Sequence, residues 1–260
     1  MYWIASYPRS GNTFLRILLK EVYGIRTWEG YGEESPKKVV SHMSQKQISK
    51  YTFIKTHELP SKTEISYQKL KSIYLVRDGR DACVSSAYHR SQIVKPGSDY
   101  LFNLRTTILA PFKTSFGGWS KNVEDWSTVA DIVIKFEDLI ANPIVELQRL
   151  EKIIQLPKPN YANIPTFSDL KKKNYEYGSG NESLNAKQRS HRRNNFFRSG
   201  KTGNWKQDIP NSLQKIFNYK NAKMLELYGY ENTNKPKFIL IDSIYQHILW
   251  FIGFINDRLK

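Results

Sequence analysis

Cysteine is nearly absent: Cys83 is the only one in 260 residues, so the chain closes no internal disulfide and offers no thiolate cluster for zinc. Histidine is thin as well, five residues scattered along the chain, and no metal-ligand spacing emerges. Acidic charge is in deficit, with 24 Asp+Glu against 40 Lys+Arg and a net charge of +16. Such a charge attracts a nucleotide with several negative groups, an acidic glycan, an anionic membrane or a nucleic acid, and does not discriminate among them. No secretory leader is legible at the start, where Tyr2 to Ser6 reads as a strand and a charged, helical segment follows. Together with the lone cysteine this leads us to expect a cytoplasmic protein, for which the glycosylation match at Asn181-Glu182-Ser183 carries no meaning. No internal repeat is visible.

What is present suits one sizeable α/β domain: 40% of residues are hydrophobic and 13% aromatic. Strands are expected at 2–6, 51–55, 73–76 and 131–135, alternating with helices at 13–23, 81–89, 119–127 and 145–154. That alternation predicts a mainly parallel central sheet flanked by helices, with ligands at the carboxyl ends of the strands. The stretches 88–116 and 163–195 are polar and basic and read as irregular loops over an acceptor site. Lys171 to Lys173, Arg189, Arg192 and Arg193 read as solvated charge, and as the first contacts for an anionic acceptor.

Three segments carry chemistry. The first is Tyr7-Pro8-Arg9-Ser10-Gly11-Asn12-Thr13, set between an apolar run and an amphipathic one. Unpaired N–H groups at a helix start welcome an anion; Gly11 lets the main chain approach, Arg9 adds a cation, and Ser10, Asn12 and Thr13 can cap the helix or donate to a ligand. The stretch is P-loop-like but lacks the Walker A lysine and metal-holding hydroxyl. The second segment, Ser72 to His89, holds Arg77 at a strand end and Ser85 on a helix that Asp81 is placed to open. Arg77 and Ser85 can converge on one oxyanion, or Arg77 can pair with Asp78 or Asp81 in a surface turn. The third, Phe197 to Lys206, packs Arg198, Ser199, Gly200, Lys201, Thr202 and Gly203 into a loop able to wrap a phosphate, or to serve as a solvated basic linker.

Read in order, Y-P-R-S-G-N-T-F, the K-T-H at Lys55 to His57, Y-L-V-R-D-G-R-D-A-C-V-S and F-R-S-G-K-T-G-N-W-K resemble sulfotransferases that use 3′-phosphoadenosine 5′-phosphosulfate (PAPS). The likeness runs on through Phe116-Gly-Gly-Trp119…Trp126 and Ile134 to Leu139, and covers the chain from Tyr2 to about Tyr230. The resemblance implies that Arg9, Ser10, Gly11, Asn12, Thr13 and Phe14 hold the 5′-phosphosulfate. It implies that Arg77 and Ser85 grip the 3′-phosphate with Arg198, Ser199 and Gly200, while Phe136, Thr166 and Phe167 line the adenine site. His57 would be the general base for an acceptor hydroxyl, or less readily an amine. Lys55 and Arg9 would follow the charge that builds on the leaving phosphate.

The scheme calls for no metal, and its product is 3′-phosphoadenosine 5′-phosphate (PAP). Arg9 stands where a lysine is usual, Ser199 where the loop commonly has a second cation, Asn204 in place of an aspartate, and Glu58 where many relatives have an apolar residue. A planar guanidinium is a poorer proton donor than an ammonium, which puts leaving-group protonation by Arg9 in doubt. The resemblance also argues for the cytosolic type over Golgi relatives with an N-terminal anchor. A nucleic-acid-binding protein and a nucleotide kinase are the rival readings. The first is disfavoured by cations clustered in phosphate loops, the second by the missing Walker lysine.

Residues 1–234 are expected to form the sulfotransferase domain, with 235–260 as a C-terminal amphipathic helical segment. From Phe238 to Ile255 the tail is apolar except for Asp242, Ser243, Gln246, His247 and Gly253, which on a helix form one stripe with Asn256 and Asp257. It reads as a helix docked on the domain or on a second subunit, or as an interfacial membrane helix with Trp250 and with Lys235, Lys237, Arg258 and Lys260 at its ends. A span would bury Asp242 and His247 in a stretch barely long enough. The acceptor is a small molecule, a lipid or a glycan. Its identity is not encoded in any motif.

Overall fold

Apolar runs without alternation are the mark of strands buried on both faces, and the chain has several. They form β1 (Tyr2–Ser6), β3 (Phe53–Thr56), β4 (Lys71–Val76) and β5 (Ile132–Lys135), with a short β2 (Thr27–Glu29) at one edge. In the computed structural model they make a five-stranded, all-parallel sheet in the order β2-β3-β1-β4-β5. The model describes residues 2–29, 53–63, 71–110, 113–178, 184–231 and 239–258. Tyr51 and Thr52 of one expected strand, Asn181 to Ser183, and Lys235, Lys237, Phe238 and Lys260 of the tail lie outside them.

The described residues divide into two compact units. The first comprises Met1–Arg77, Ser115–Gly117 and Lys121–Ser179 and contains the whole sheet. After β1 the chain enters α1 (Asn12–Tyr23), whose Leu15, Leu18, Leu19 and Val22 recur at helical spacing and bury against Ile4, Ile73, Leu75 and Ile134. Each such aliphatic side chain contributes about 1.5–3 kcal/mol on burial. Gly24, at φ 69°, ends α1 by turning the chain left-handed and returning its N–H to the carbonyls of Leu19 and Lys20. The unit also holds α5 (Phe136–Ala141), α6 (Pro143–Ile153) and α7 (Phe167–Lys172), and most of α4 (Trp119–Ser127).

The second unit is helical: α2 (Gly79–His89), α3 (Tyr100–Leu109), α8 (Ala186–Phe196), the single turn α9 (Trp205–Asp208), α10 (Asn211–Leu227) and α11 (Leu240–Arg258). Two expectations are corrected here. Asp99 caps the N–H of Phe102 and starts a helix inside the stretch 88–116, which was expected to be irregular. Asn185 and Gln188 form a reciprocal capping box that starts α8 inside 163–195, where α7 also lies. The start of α2 also differs: Asp78, not Asp81, is its cap, accepting from the N–H of Arg80.

Candidate active site

In a parallel sheet all the carboxyl ends lie along one edge, so β1, β3, β4 and β5 deliver their following residues to the same place. Those residues are the loop 7–11, His57, Arg77 and Phe136, all within the first unit. The loop is tightly turned: Ser10 N–H donates to the Tyr7 carbonyl at 3.3 Å, and the N–H groups of Phe14 and Leu15 both reach the Gly11 carbonyl. Arg9 has φ 65°, rare for a residue with a side chain, and Gly11 has φ 96°. A Cβ on Gly11 would collide with the Phe136 ring, so the glycine is required by both backbone and space.

The expected caps of α1 work differently from the sequence reading. Gly11 occupies the capping position and no side chain accepts from the helix start. Asn12 turns inward instead and donates to the Ile4 carbonyl at 3.0 Å and to Ser6 Oγ at 3.2 Å. Ser10 Oγ is buried and has no hydrogen-bond partner among the described residues. An uncapped helix start beside an unsatisfied hydroxyl fits the phosphate oxygens of a nucleotide.

Cations crowd this edge. Arg77 donates from its guanidinium to the Arg9 carbonyl at 3.1 Å and stacks 4.4 Å over the Phe136 ring. Burial and then repulsion from Arg77 bring the Arg9 guanidinium down to about 10. His57 is half-buried, with Nδ1 2.8 Å from the Ser6 carbonyl and 3.1 Å from Ser6 Oγ. A carbonyl accepts only, so Nδ1 carries the proton and Nε2 the lone pair. Burial, then the charges of Lys55, Arg9 and Arg16, hold the His57 pKa down at about 3, opposed by the bond to the Ser6 carbonyl. The imidazole is therefore neutral at physiological pH.

Asn122, which no motif flagged, holds the segment around His57 together with the motif residues Tyr74 and Trp126. Asn122 is fully buried on α4 and its amide donates to the carbonyls of His57 at 3.0 Å and Phe116 at 2.9 Å, while Tyr74 Oη donates to its Oδ1 at 2.9 Å. Trp126 Nε1 donates to the Glu58 carbonyl at 2.8 Å. A signal was available: Asn122 falls on the same helical stripe as Trp119, Val123 and Trp126, a polar residue on an apolar face.

Thr166 and Phe167 begin α7. The Thr166 hydroxyl belongs to a capping box with Asp169, and Phe167 is exposed, with the Lys171 ammonium 5.1 Å from its ring centre. Neither is brought into contact with the phosphate loop by the bonds described.

In the second unit, Ser85 lies half-buried on α2. The two acids considered for Arg77 hold groups of their own unit. Asp78 takes a bidentate pair from Arg80, at 2.9 and 2.7 Å, and Asp81 accepts from the N–H groups of Gly203 at 2.6 Å and Trp205 at 3.0 Å. Asp81 thus pins the late loop. Arg198 lies 4.0 Å over the Tyr88 ring and 3.4 Å from Asp208, and Ser199 Oγ accepts from Asn204 Nδ2 at 3.0 Å. Gly200 turns at φ 61°.

A sequence profile described as the sulfotransferase domain matches residues 1–228. The chain belongs to the sulfotransferase domain family. Sulfotransferase 1A1 of Canis lupus familiaris is 25% identical over 248 residues, covering 87% of this chain and 83% of the relative. The same-named protein of Rattus norvegicus is 23% identical over 248 residues, covering 85% and 83%. Among solved structures, mouse sulfotransferase SULT7A1 complexed with PAP superposes with a TM-score of 0.66 at 18% identity, covering 87% of this chain and 85% of that one. Retinol dehydratase in a complex with retinol and PAP gives 0.60 at 18% identity, covering 91% and 82%. The enzyme is a sulfotransferase whose donor is the family's PAPS, and its fold is the α/β fold with a P-loop-like turn after the first strand that the ordered motifs implied.

Proposed function

We propose that this sulfotransferase moves the sulfuryl group to an acceptor hydroxyl, less readily an amine, with His57 as general base. The observation that carries the proposal is the state of His57: neutral, its tautomer fixed by the Ser6 carbonyl, its main chain held by Asn122, and surrounded by cations. The bond from acceptor oxygen to sulfur forms as the bridging bond to the 5′-phosphate breaks, and the acceptor proton passes to Nε2. Arg9 and Lys55 offset the charge arriving on the phosphate oxygens. Arg9 supplies charge rather than a proton.

The loop Ser10 to Phe14 is assigned to the 5′-phosphosulfate, supported by the uncapped helix start and the buried Ser10 hydroxyl. Arg77, Ser85, Arg198, Ser199 and Gly200 are assigned to the 3′-phosphate, and Phe136, Thr166 and Phe167 to adenine, on the family likeness. We take residues 1–234 as the catalytic domain and place the enzyme in the cytoplasm. Its acceptor is a small molecule, lipid or glycan, residues 238–255 serve peripheral membrane association, and a homo-oligomer is compatible with the same tail.

A thermal-shift titration with PAP beside ADP, magnesium ATP and a short RNA tests the donor site. Ligand at a hundred times its dissociation constant adds about 2.7 kcal/mol. Stabilisation by PAP and not by ADP is expected. A response to magnesium ATP alone would turn the reading to a kinase, and a response to RNA alone to a nucleic-acid binder. His57→Ala should abolish turnover and leave PAP binding intact, and equal loss of both would remove His57 from the base role.

A further inference from the structure

Helix α11 is turned the opposite way from an ordinary surface helix. At 3.6 residues per turn, Ile241, Ile244, Ile248, Phe251, Ile252 and Ile255 fall along one face, and all are exposed, from 43% at Ile255 to 83% at Ile241. Gln246, Trp250 and Asp257 turn inward and attach the helix to its own unit, while His247 stays exposed. Gln246, 3% exposed, accepts from Arg105 Nε at 2.9 Å and donates to Ser212 Oγ at 2.9 Å. Trp250 Nε1 donates to Thr106 Oγ1 at 3.0 Å, and Asp257 takes Lys95 Nζ at 2.8 Å. Gly253 packs so closely that a Cβ there would stand 2.8 Å from the Phe102 ring.

Scattered exposed apolar residues need no explanation, but a contiguous stripe along about four turns does. Charge chooses its occupant. Both acids of the helix are tied to lysines of the same unit, Asp242 to Lys215 at 3.7 Å and Asp257 to Lys95, so the exposed face presents no carboxylate. The sequence is basic at both ends, with Lys235 and Lys237 before the helix, Arg258 as its last residue and Lys260 beyond it, in a chain of net charge +16. A second copy would bring the same positive charge to the same face. An anionic lipid surface complements both the apolar stripe and the cations. The helix has 19 residues, and no described helix is long and apolar enough to cross a membrane, so it lies flat.

We propose that α11 is an in-plane anchor that seats the protein on an anionic lipid surface. The inference rests on and deepens the peripheral association proposed for residues 238–255, and is independent of the catalytic reading. Flotation of the full chain with phosphatidylcholine vesicles, with and without phosphatidylglycerol, tests it, beside the double variant Ile248→Glu, Phe251→Glu. Both side chains are exposed, so the thermal midpoint should be unchanged while the docked face stays intact. The expected result is binding to the anionic vesicles, weaker by about tenfold or more without the anionic lipid or in the variant, and weakened by salt. Absence of wild-type binding to either vesicle overturns the proposal, as does equal binding by the variant. A wild-type dimer by sedimentation velocity that becomes monomeric in the variant, without vesicle binding, assigns the face to a second copy instead.

Discussion

Acidification should destabilise this protein through His57, and the size of the effect can be worked out. Folded His57 titrates at about 3, whereas an ordinary histidine in the unfolded chain titrates at 6.5. Between those values the unfolded state binds the proton more tightly, so stability is fully present above 6.5 and is lost as pH falls toward 3. From pH 7 to pH 5 the loss from this one group is about 2 kcal/mol, since each unit of pH below 6.5 costs about 1.4 kcal/mol until the folded group also titrates. In a chain of this length that lowers the melting midpoint by about 4 °C. His57→Asn is the comparison: its amide nitrogen can still donate to the Ser6 carbonyl but does not titrate. Other groups shift both proteins alike, so the difference in midpoint between wild type and variant should change by that amount across the range. Parallel midpoints would show that His57 titrates as an ordinary histidine and would remove the buried-base argument. Turnover, by the same reasoning, should show no loss of the base between pH 7 and pH 6.

Asn122→Ala leaves two carbonyls and the Tyr74 hydroxyl without their partner in the interior, at a cost of about 1–3 kcal/mol in denaturant unfolding. Its kcat should fall while the affinity for PAP holds, because the loss is in aiming His57; unchanged kcat would assign Asn122 to folding alone. Gly11→Ala forces a side chain into a left-handed turn, costing about 1–2 kcal/mol, and pushes Phe136 out of place. Calorimetry should show PAP binding weakened more than thermal stability. Arg198→Ala should weaken PAP about ten- to a hundredfold, the worth of a charge-assisted contact, and leave a 5′-only nucleotide little changed; equal losses would take Arg198 away from the 3′-phosphate.

Elements fixed by their own sequence were legible, and those fixed by distant partners were not. β1 and α4 begin and end where apolar run and helical stripe say. α8 has almost no apolar face; its signal was the pair Asn185 and Gln188, a local cap rather than a period. The gathering of Arg9, His57 and Arg77 followed from one rule, that parallel strands share a carboxyl edge. The partners of these groups did not follow. That Asp78 pairs with Arg80, that Asp81 holds main-chain N–H groups more than a hundred residues away, and that Asn122 holds His57 are choices made by packing.

The two departures in the late loop illustrate how such partners explain a sequence. Taken one at a time, Ser199 is the loss of a cation and Asn204 the loss of an acid. In the structure they touch, the Asn204 amide donating to the Ser199 hydroxyl at 3.0 Å, and the Ser199 hydroxyl also accepts from the Lys201 N–H at 3.4 Å. Removing a cation alone would leave an acid in the loop facing an anionic ligand. Exchanging both for a hydroxyl and an amide keeps a contact across the loop and leaves its charge to Arg198 and Lys201. The neighbouring N–H groups of Gly203 and Trp205 remain held by Asp81 in either case. The loop's shape thus rests on neutral contacts and on Asp81, while Arg198, the residue proposed for the 3′-phosphate, is steadied by the Tyr88 ring and Asp208.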